Sequence, residues 1–274
     1  MFRGVFMNIK KFASLLLCGI MMLSLFACGK GDNPDENSVV NNTTTSVVQS
    51  DGESTQVTKT SSATEADVKM PVDASYFDDA AFVGDSVSLK LSYYAMSTKL
   101  LGEAQFFTAG SLGANNALWS LDHPDSVHPS YRGEKMLVED CIASSGVKKV
   151  YLMLGMNDLG LYGIDTTIES YTTLVSNILA KSPDVKIFIQ SMTPMTDTSY
   201  IWGESLNNTV IGEYNQRLKT LCEEEGWGFV DVASVMYDDY GNLVRDYCSD
   251  PDDMGVHFTE MGCDVWINYL YNHA

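Results

Sequence analysis

From residue 81 to residue 232 the chain alternates short apolar runs with helical stripes. That alternation restricts the fold more than any other feature of the sequence. The runs are Ala81–Val83, Gln105–Thr108, Lys149–Leu154, Lys186–Gln190 and Gly228–Val232. Between the third and fourth, Ile168, Tyr171, Leu174, Val175, Ile178 and Leu179 recur at helical spacing. Met136, Leu137, Cys141 and Ile142 form an earlier stripe, with Gly146 placed as its C-cap. Val210, Ile211, Tyr214, Leu218, Leu221 and Cys222 form a later one, ended by Gly226. Thr259 reads as the N-cap of a last helix through Trp266 and Leu270. Strands that alternate with helices pair in parallel and are covered on both faces. The expectation is an α/β fold, a three-layer α/β/α sandwich around a five-stranded parallel sheet, formed by residues 72–274 as a single domain. In such sheets ligands bind beyond the carboxyl ends of the strands.

Chemistry is therefore to be sought just after each strand. The first is followed by Gly84-Asp85-Ser86, which sets a serine hydroxyl at the start of a helix, where the dipole favours a developing anion. The second is followed by Thr108-Ala109-Gly110-Ser111-Leu112-Gly113-Ala114-Asn115-Asn116, and the third by Gly155-Met156-Asn157-Asp158. Asp252-Asp253-Met254-Gly255-Val256-His257-Phe258-Thr259 leads into the final helix. A neutral hydroxyl is a poor nucleophile at pH 7 and needs a base within hydrogen-bond reach. His257 is one of four histidines; His123 and His128 lie in a loop-like insertion and read as rim or surface residues. Ser88 occupies the last place of what would be G-x-S-x-G, so an ordinary α/β-hydrolase elbow is not indicated. The sequence has no dinucleotide-binding glycine fingerprint, P-loop or metal-ligand cluster, and no cofactor or metal is expected.

These four stretches, in this order, resemble blocks I, II, III and V of the SGNH (GDSL-type) hydrolase family, over roughly Phe82 to Gly262. The resemblance implies a flavodoxin-like sheet and an ester hydrolase. It makes Ser86 the nucleophile and His257 the base. It also implies an oxyanion hole from the Ser86 N–H, the Gly113 N–H and the Asn157 side chain, with Gly110 the other candidate for the block II glycine. The family's Asp-x-x-His spacing is not kept, because Met254 stands three residues before His257. Asp253, four residues before, is expected to reach the imidazole; Asp252, or a backbone carbonyl, would be the substitute. Asp85 is expected to cap the elbow through neighbouring N–H groups.

Upstream, Arg3, Lys10 and Lys11 precede an apolar run from Phe12 to Ala27, too short for a spanning helix and arranged like a secretory signal. Leu25-Phe26-Ala27-Cys28 resembles the bacterial lipobox, which implies lipidation of Cys28 and export of the rest. Residues 28–71 are rich in Asn, Thr, Ser, Asp and Glu, lack aromatics and read as a disordered tether. The whole chain carries 17 Lys+Arg against 36 Asp+Glu, and three of the basic residues lie in the signal. That excess argues against nucleic acid and against docking on anionic headgroups, leaving the lipid anchor as the membrane contact. No protein partner is implied. Cys141 and Cys222 fall on helical apolar stripes as buried thiols, and a Cys248–Cys263 disulfide would bracket the last loop.

The expected activity is hydrolysis of short acyl esters, O-acetyl groups above all, on extracellular carbohydrate or cell-wall glycan. The alternatives are a lipid esterase or lysophospholipase, and a non-catalytic glycan- or solute-binding lipoprotein. Trp119, Tyr131, Tyr162 and Trp202 follow strand ends and would either stack on sugar faces or cover the open end of the core.

Overall fold

The structure, a computed structural model, describes residues 71–201 and 203–273. The signal, Cys28, the tether through residue 70 and Trp202 lie outside the described residues.

Five parallel strands form one sheet: β1 (Ala80–Gly84), β2 (Gln105–Thr108), β5 (Lys149–Met153), β6 (Lys186–Gln190) and β7 (Gly228–Val230), in the order β2-β1-β5-β6-β7. Between β2 and β5 lies a small hairpin, β3 (Ser130–Tyr131) and β4 (Glu134–Lys135). Its two-residue turn has Arg132 and Gly133 at positive φ, the twist such hairpins need. The helices are α1 (Ser86–Thr98), α2 (Val138–Ser145), α3 (Leu159–Lys181, interrupted at Gly163), α4 (Asn208–Glu225) and α5 (Glu260–His273). The five expected strands all form, which makes the architecture the three-layer one that the alternation requires. Strand β7 ends two residues before the apolar run does. There the chain turns into a 3-10 segment at Val232–Val235, and the Ala233 N–H is taken by Ser191 Oγ at 2.8 Å.

Helix ends follow the expected punctuation. Gly146 and Gly226 close α2 and α4 in the left-handed conformation. Thr259 Oγ1 accepts the Gly262 N–H at 3.2 Å at the start of α5. Cys141, Cys222, Cys248 and Cys263 are all buried free thiols. The Cys248–Cys263 disulfide is thus not formed, and the last loop is held by hydrogen bonds instead.

One face of the sheet carries a continuous ladder of aromatic rings. Phe106, Phe82, Tyr151 and Phe188 occupy register-matched positions on β2, β1, β5 and β6. Successive centroids are 5.5, 4.9 and 4.7 Å apart with interplanar angles of 22°, 12° and 10°. Each such pair adds ~0.5–1.5 kcal/mol beyond its buried area. The ladder ends where β7 presents Gly228 opposite Phe188; a β-carbon there would lie 2.5 Å from the ring.

Taken in chain order, the sheet strands run 2-1-3-4-5. The direction of sheet growth reverses at β1, so the crevice at the carboxyl ends of β1 and β5 is the expected place for a site. Ser86 emerges from the first of these strands and Asn157 from the second.

Candidate active site

Gly84 allows the turn that brings Ser86 out of β1. A β-carbon there would stand 2.1 Å from Ser88 Oγ and 2.9 Å from the Met153 carbonyl oxygen, so only glycine lets α1 leave the strand this closely. Asp85 caps α1, as expected, by accepting the Val87 N–H at 2.9 Å. Ser86 is then the first helical residue, and its N–H is one of those for which a helix supplies no carbonyl.

His257 lies 171 residues later, and its Nε2 stands 3.0 Å from Ser86 Oγ. Its Nδ1 stands 2.6 Å from Asp250 Oδ2. The carboxylate on the imidazole is therefore Asp250, seven residues before the histidine, and not Asp253. The reason is the path of the loop. The Asp250 carbonyl accepts the N–H of both Asp253 and Gly255 at 3.0 and 2.9 Å, so the chain curls back on itself and leaves Asp253 exposed at the outer rim. Gly255 makes that curl at φ 70°, where a β-carbon would lie 2.2 Å from Thr196 Oγ1. Asp252 turns away to pair with Arg245. The loop is fixed from outside by the β6–α4 connection, where the Thr196 N–H reaches the Gly255 carbonyl at 2.9 Å and Thr196 Oγ1 the Pro251 carbonyl at 3.0 Å.

Asp250 Oδ1 accepts the N–H groups of Val256 and His257 at 3.2 and 3.1 Å and faces Cys248 Sγ at 3.1 Å. Burial pushes the Asp250 carboxyl up, but the hydrogen bonds from the His257 ring, the Cys248 thiol and the His257 N–H outweigh it. The carboxyl is held below its ordinary value.

Asn157 joins this centre from the end of β5. Its Nδ2 donates to Asp85 Oδ2 and to the Leu112 carbonyl, both at 3.2 Å, so the carboxylate beside Ser86 also aims the Asn157 amide. Asp85 is 2 % exposed. Burial raises its carboxyl to about 6, opposed by the Val87 N–H and the nearby His257 and reinforced by Asp158. Asp158, also buried, accepts the Ala114 and Asn115 N–H groups at 2.8 and 2.9 Å and so ties the loop after β2 to the loop after β5. Burial raises its carboxyl as well.

Gly113 has a different place from the one expected. Its N–H donates to Asn116 Oδ1 at 2.8 Å, because Asn116 sits three residues on in a 3-10 turn and reaches back like a capping-box side chain. The Gly113 N–H is thus occupied within its own loop. Its lack of a β-carbon serves Asp158, whose Oδ1 would lie 2.5 Å from one. Gly110 is exposed. Sequence reasoning missed Asp250 and Asp158. The first lay outside the expected spacing, and the second was visible only as the residue after Asn157.

The flanking aromatics divide. Tyr131 packs edge-on against Phe107 at 5.4 Å and Trp119 rests on His123 at 4.4 Å, while Tyr162 is exposed. His128, read as a surface residue, is 6 % exposed.

The sequence profile of the GDSL-like lipase/acylhydrolase family matches residues 134–265, a stretch that includes Asn157, Asp250 and His257 but not Ser86. No curated protein matches this chain in sequence. Among solved structures, a candidate acylhydrolase from Bacteroides fragilis is similar, with 18 % identity, a TM-score of 0.53, and 75 % of this chain and 89 % of that one covered. A GDSL-like lipase from Bacteroides thetaiotaomicron has 15 % identity and a TM-score of 0.52 over 70 % and 84 % of the two chains. A candidate platelet activating factor from Streptococcus pneumoniae has 18 % identity and a TM-score of 0.53 over 75 % and 85 %. At such identities these likenesses are likenesses of fold. The family match and the ordered blocks at the strand ends, on this fold, support an ester hydrolase of the SGNH (GDSL-type) family.

Proposed function

We propose that the protein is a serine esterase that removes short acyl groups, O-acetyl above all, from carbohydrate or cell-wall glycan outside the cytoplasm. The observation that carries the mechanism is the unbroken relay from Ser86 Oγ through His257 to Asp250, at 3.0 and 2.6 Å. In this reading His257 Nε2 takes the Ser86 proton as Oγ attacks the ester carbonyl, and Asp250 stabilises the imidazolium. The oxyanion faces the Ser86 N–H and Asn157 Nδ2. Both Asn157 contacts are at the long end for hydrogen bonds, so one N–H can turn to the new charge. His257 then protonates the leaving alkoxide, and water, activated by the same imidazole, releases the acid and restores Ser86.

Cavities of about 1030, 560 and 460 Å³ exist among the described residues, and neither Ser86 nor His257 lines them. Export and anchoring through Cys28 rest on the leader and lipobox; palmitate labelling that Cys28→Ala abolishes is the expected result.

The test of the activity is hydrolysis of p-nitrophenyl acetate and octanoate by the full-length protein, with Ser86→Ala as control. Ser86-dependent turnover that favours acetate supports the reading. A preference for octanoate would move the substrate to lipid. Undiminished turnover in Ser86→Ala would overturn the mechanism.

A further inference from the structure

Cys248 stands two residues before Asp250 and is 4 % exposed. Its Sγ lies 3.1 Å from Asp250 Oδ1, the carboxylate oxygen that does not touch the imidazole. The two residues are held in a miniature antiparallel ribbon. Cys248 pairs with Phe258, the Ser249 N–H donates to the His257 carbonyl at 2.7 Å, and the Thr259 N–H donates to the Tyr247 carbonyl at 2.8 Å. Thiol, carboxylate and imidazole therefore sit on two segments joined by a single antiparallel bridge and its flanking backbone bonds. Burial pushes the Cys248 thiol up to about 12, so it keeps its proton at neutral pH and acts as a donor. The charged neighbour on the same segment, Arg245, is engaged with Asp197 and Asp252.

We propose that Cys248 is a positioning residue for the esterase, its S–H fixing the plane of the Asp250 carboxylate so that Oδ2 meets His257 Nδ1. The proposal rests on the Ser86–His257–Asp250 reading above. Its physical logic lies in the seven-residue separation of acid and base. A seven-residue loop joins this carboxylate to its histidine, and a carboxylate with a free Oδ1 can rotate about its terminal bond. Two backbone N–H groups at 3.2 and 3.1 Å restrain that oxygen from one side, and the thiol restrains it from the segment that carries Asp250.

The experiment compares Cys248→Val, which keeps an apolar side chain but no donor, with Cys248→Ser, which keeps a donor. Full-length protein is used, p-nitrophenyl acetate is the probe, and the Asp250 carboxyl is followed by ¹³C NMR titration. In Cys248→Val, kcat is expected to fall about tenfold, the scale of one hydrogen bond to a charged group. KM should stay within about twofold, and the Asp250 carboxyl should protonate at higher pH. In Cys248→Ser both kcat and the titration are expected to return toward wild type. Equal kcat in the two variants, or a carboxyl titration that Cys248→Val leaves unmoved, would overturn the proposal. If the valine variant does not fold, Cys248→Ala takes its place in the same comparison. Undiminished turnover in Asp250→Asn would overturn the underlying relay, whereas the titration reads the Cys248–Asp250 contact independently of turnover.

Discussion

Asp250 Oδ2 lies 2.6 Å from His257 Nδ1, while Oδ1 of the same carboxylate is held by the N–H groups of Val256 and His257. One carboxylate thus orients the ring and is itself oriented by the ring's own backbone. Replacing it with an amide leaves the shape and removes the charge that fixes the tautomer. Asp250→Asn is expected to lower kcat by ~10³–10⁴ with the fold intact. Asp253→Asn, at the exposed rim, should stay within about twofold of wild type. Steady-state kinetics on p-nitrophenyl acetate decides; the reverse order would return the role to Asp253.

Two carboxyls of the site, Asp85 and Asp250, are linked to pH with opposite sign. Asp85 has its carboxyl raised to about 6 by burial. Its contribution to stability is therefore full below the ordinary carboxylate value of about 4 and is lost as pH rises through about 6. Asparagine caps a helix as well as aspartate does. The stability of Asp85→Asn relative to wild type should accordingly increase from pH 4 to pH 7 in urea unfolding. Asp250 is held low, so its contribution is present above about 4 and fades as pH falls through its depressed value. The advantage of wild type over Asp250→Asn should thus shrink in acid. A pH-independent difference in either variant would contradict the assignment for that residue.

Gly113→Ala places a β-carbon 2.5 Å from Asp158 Oδ1, inside the contact that joins the loops after β2 and β5. Since Asp158 is buried and accepts two N–H groups, it has little room to move. A destabilisation of ~1–3 kcal/mol is expected, with a fall in kcat as Asn157 shifts. Gly110→Ala, with nothing within 4 Å of its β-carbon, should change stability by less than about 0.5 kcal/mol. Denaturant unfolding of the pair tests whether close approach, and not chain flexibility, is what position 113 needs.

Tyr151 lies at the middle of the ring ladder, stacked on Phe82 and Phe188. Tyr151→Ala should cost ~3–5 kcal/mol, because both neighbours lose a face and the sheet cannot close the space. Tyr151→Phe keeps the rings and should stay within about 1 kcal/mol of wild type. A mild alanine variant would show that the ladder is a consequence of register and not a source of stability.

The strand runs, the helical stripes and the glycine stops are local, since each reflects periodicity or backbone freedom within one turn or one pleat. Those features sufficed to place all five strands of the sheet, the helix ends at Gly146, Gly226 and Thr259, and Ser86, Asn157 and His257 at the strand ends and the last loop. The β3–β4 hairpin escaped because its strands are two residues long, too short for any period to show. Three relationships belonged to the tertiary structure alone. The Gly113 N–H is taken by Asn116 Oδ1, a side-chain reach that sequence spacing alone does not fix. Cys248 and Cys263 stayed apart because backbone pairing, not a crosslink, sets the last loop. Asp250 displaced Asp253 because Thr196, on the connection after β6, pins the curl at Gly255 through the Gly255 and Pro251 carbonyls. A sequence names the carboxylates near a histidine; which one reaches the ring depends on contacts made from some 55 residues away.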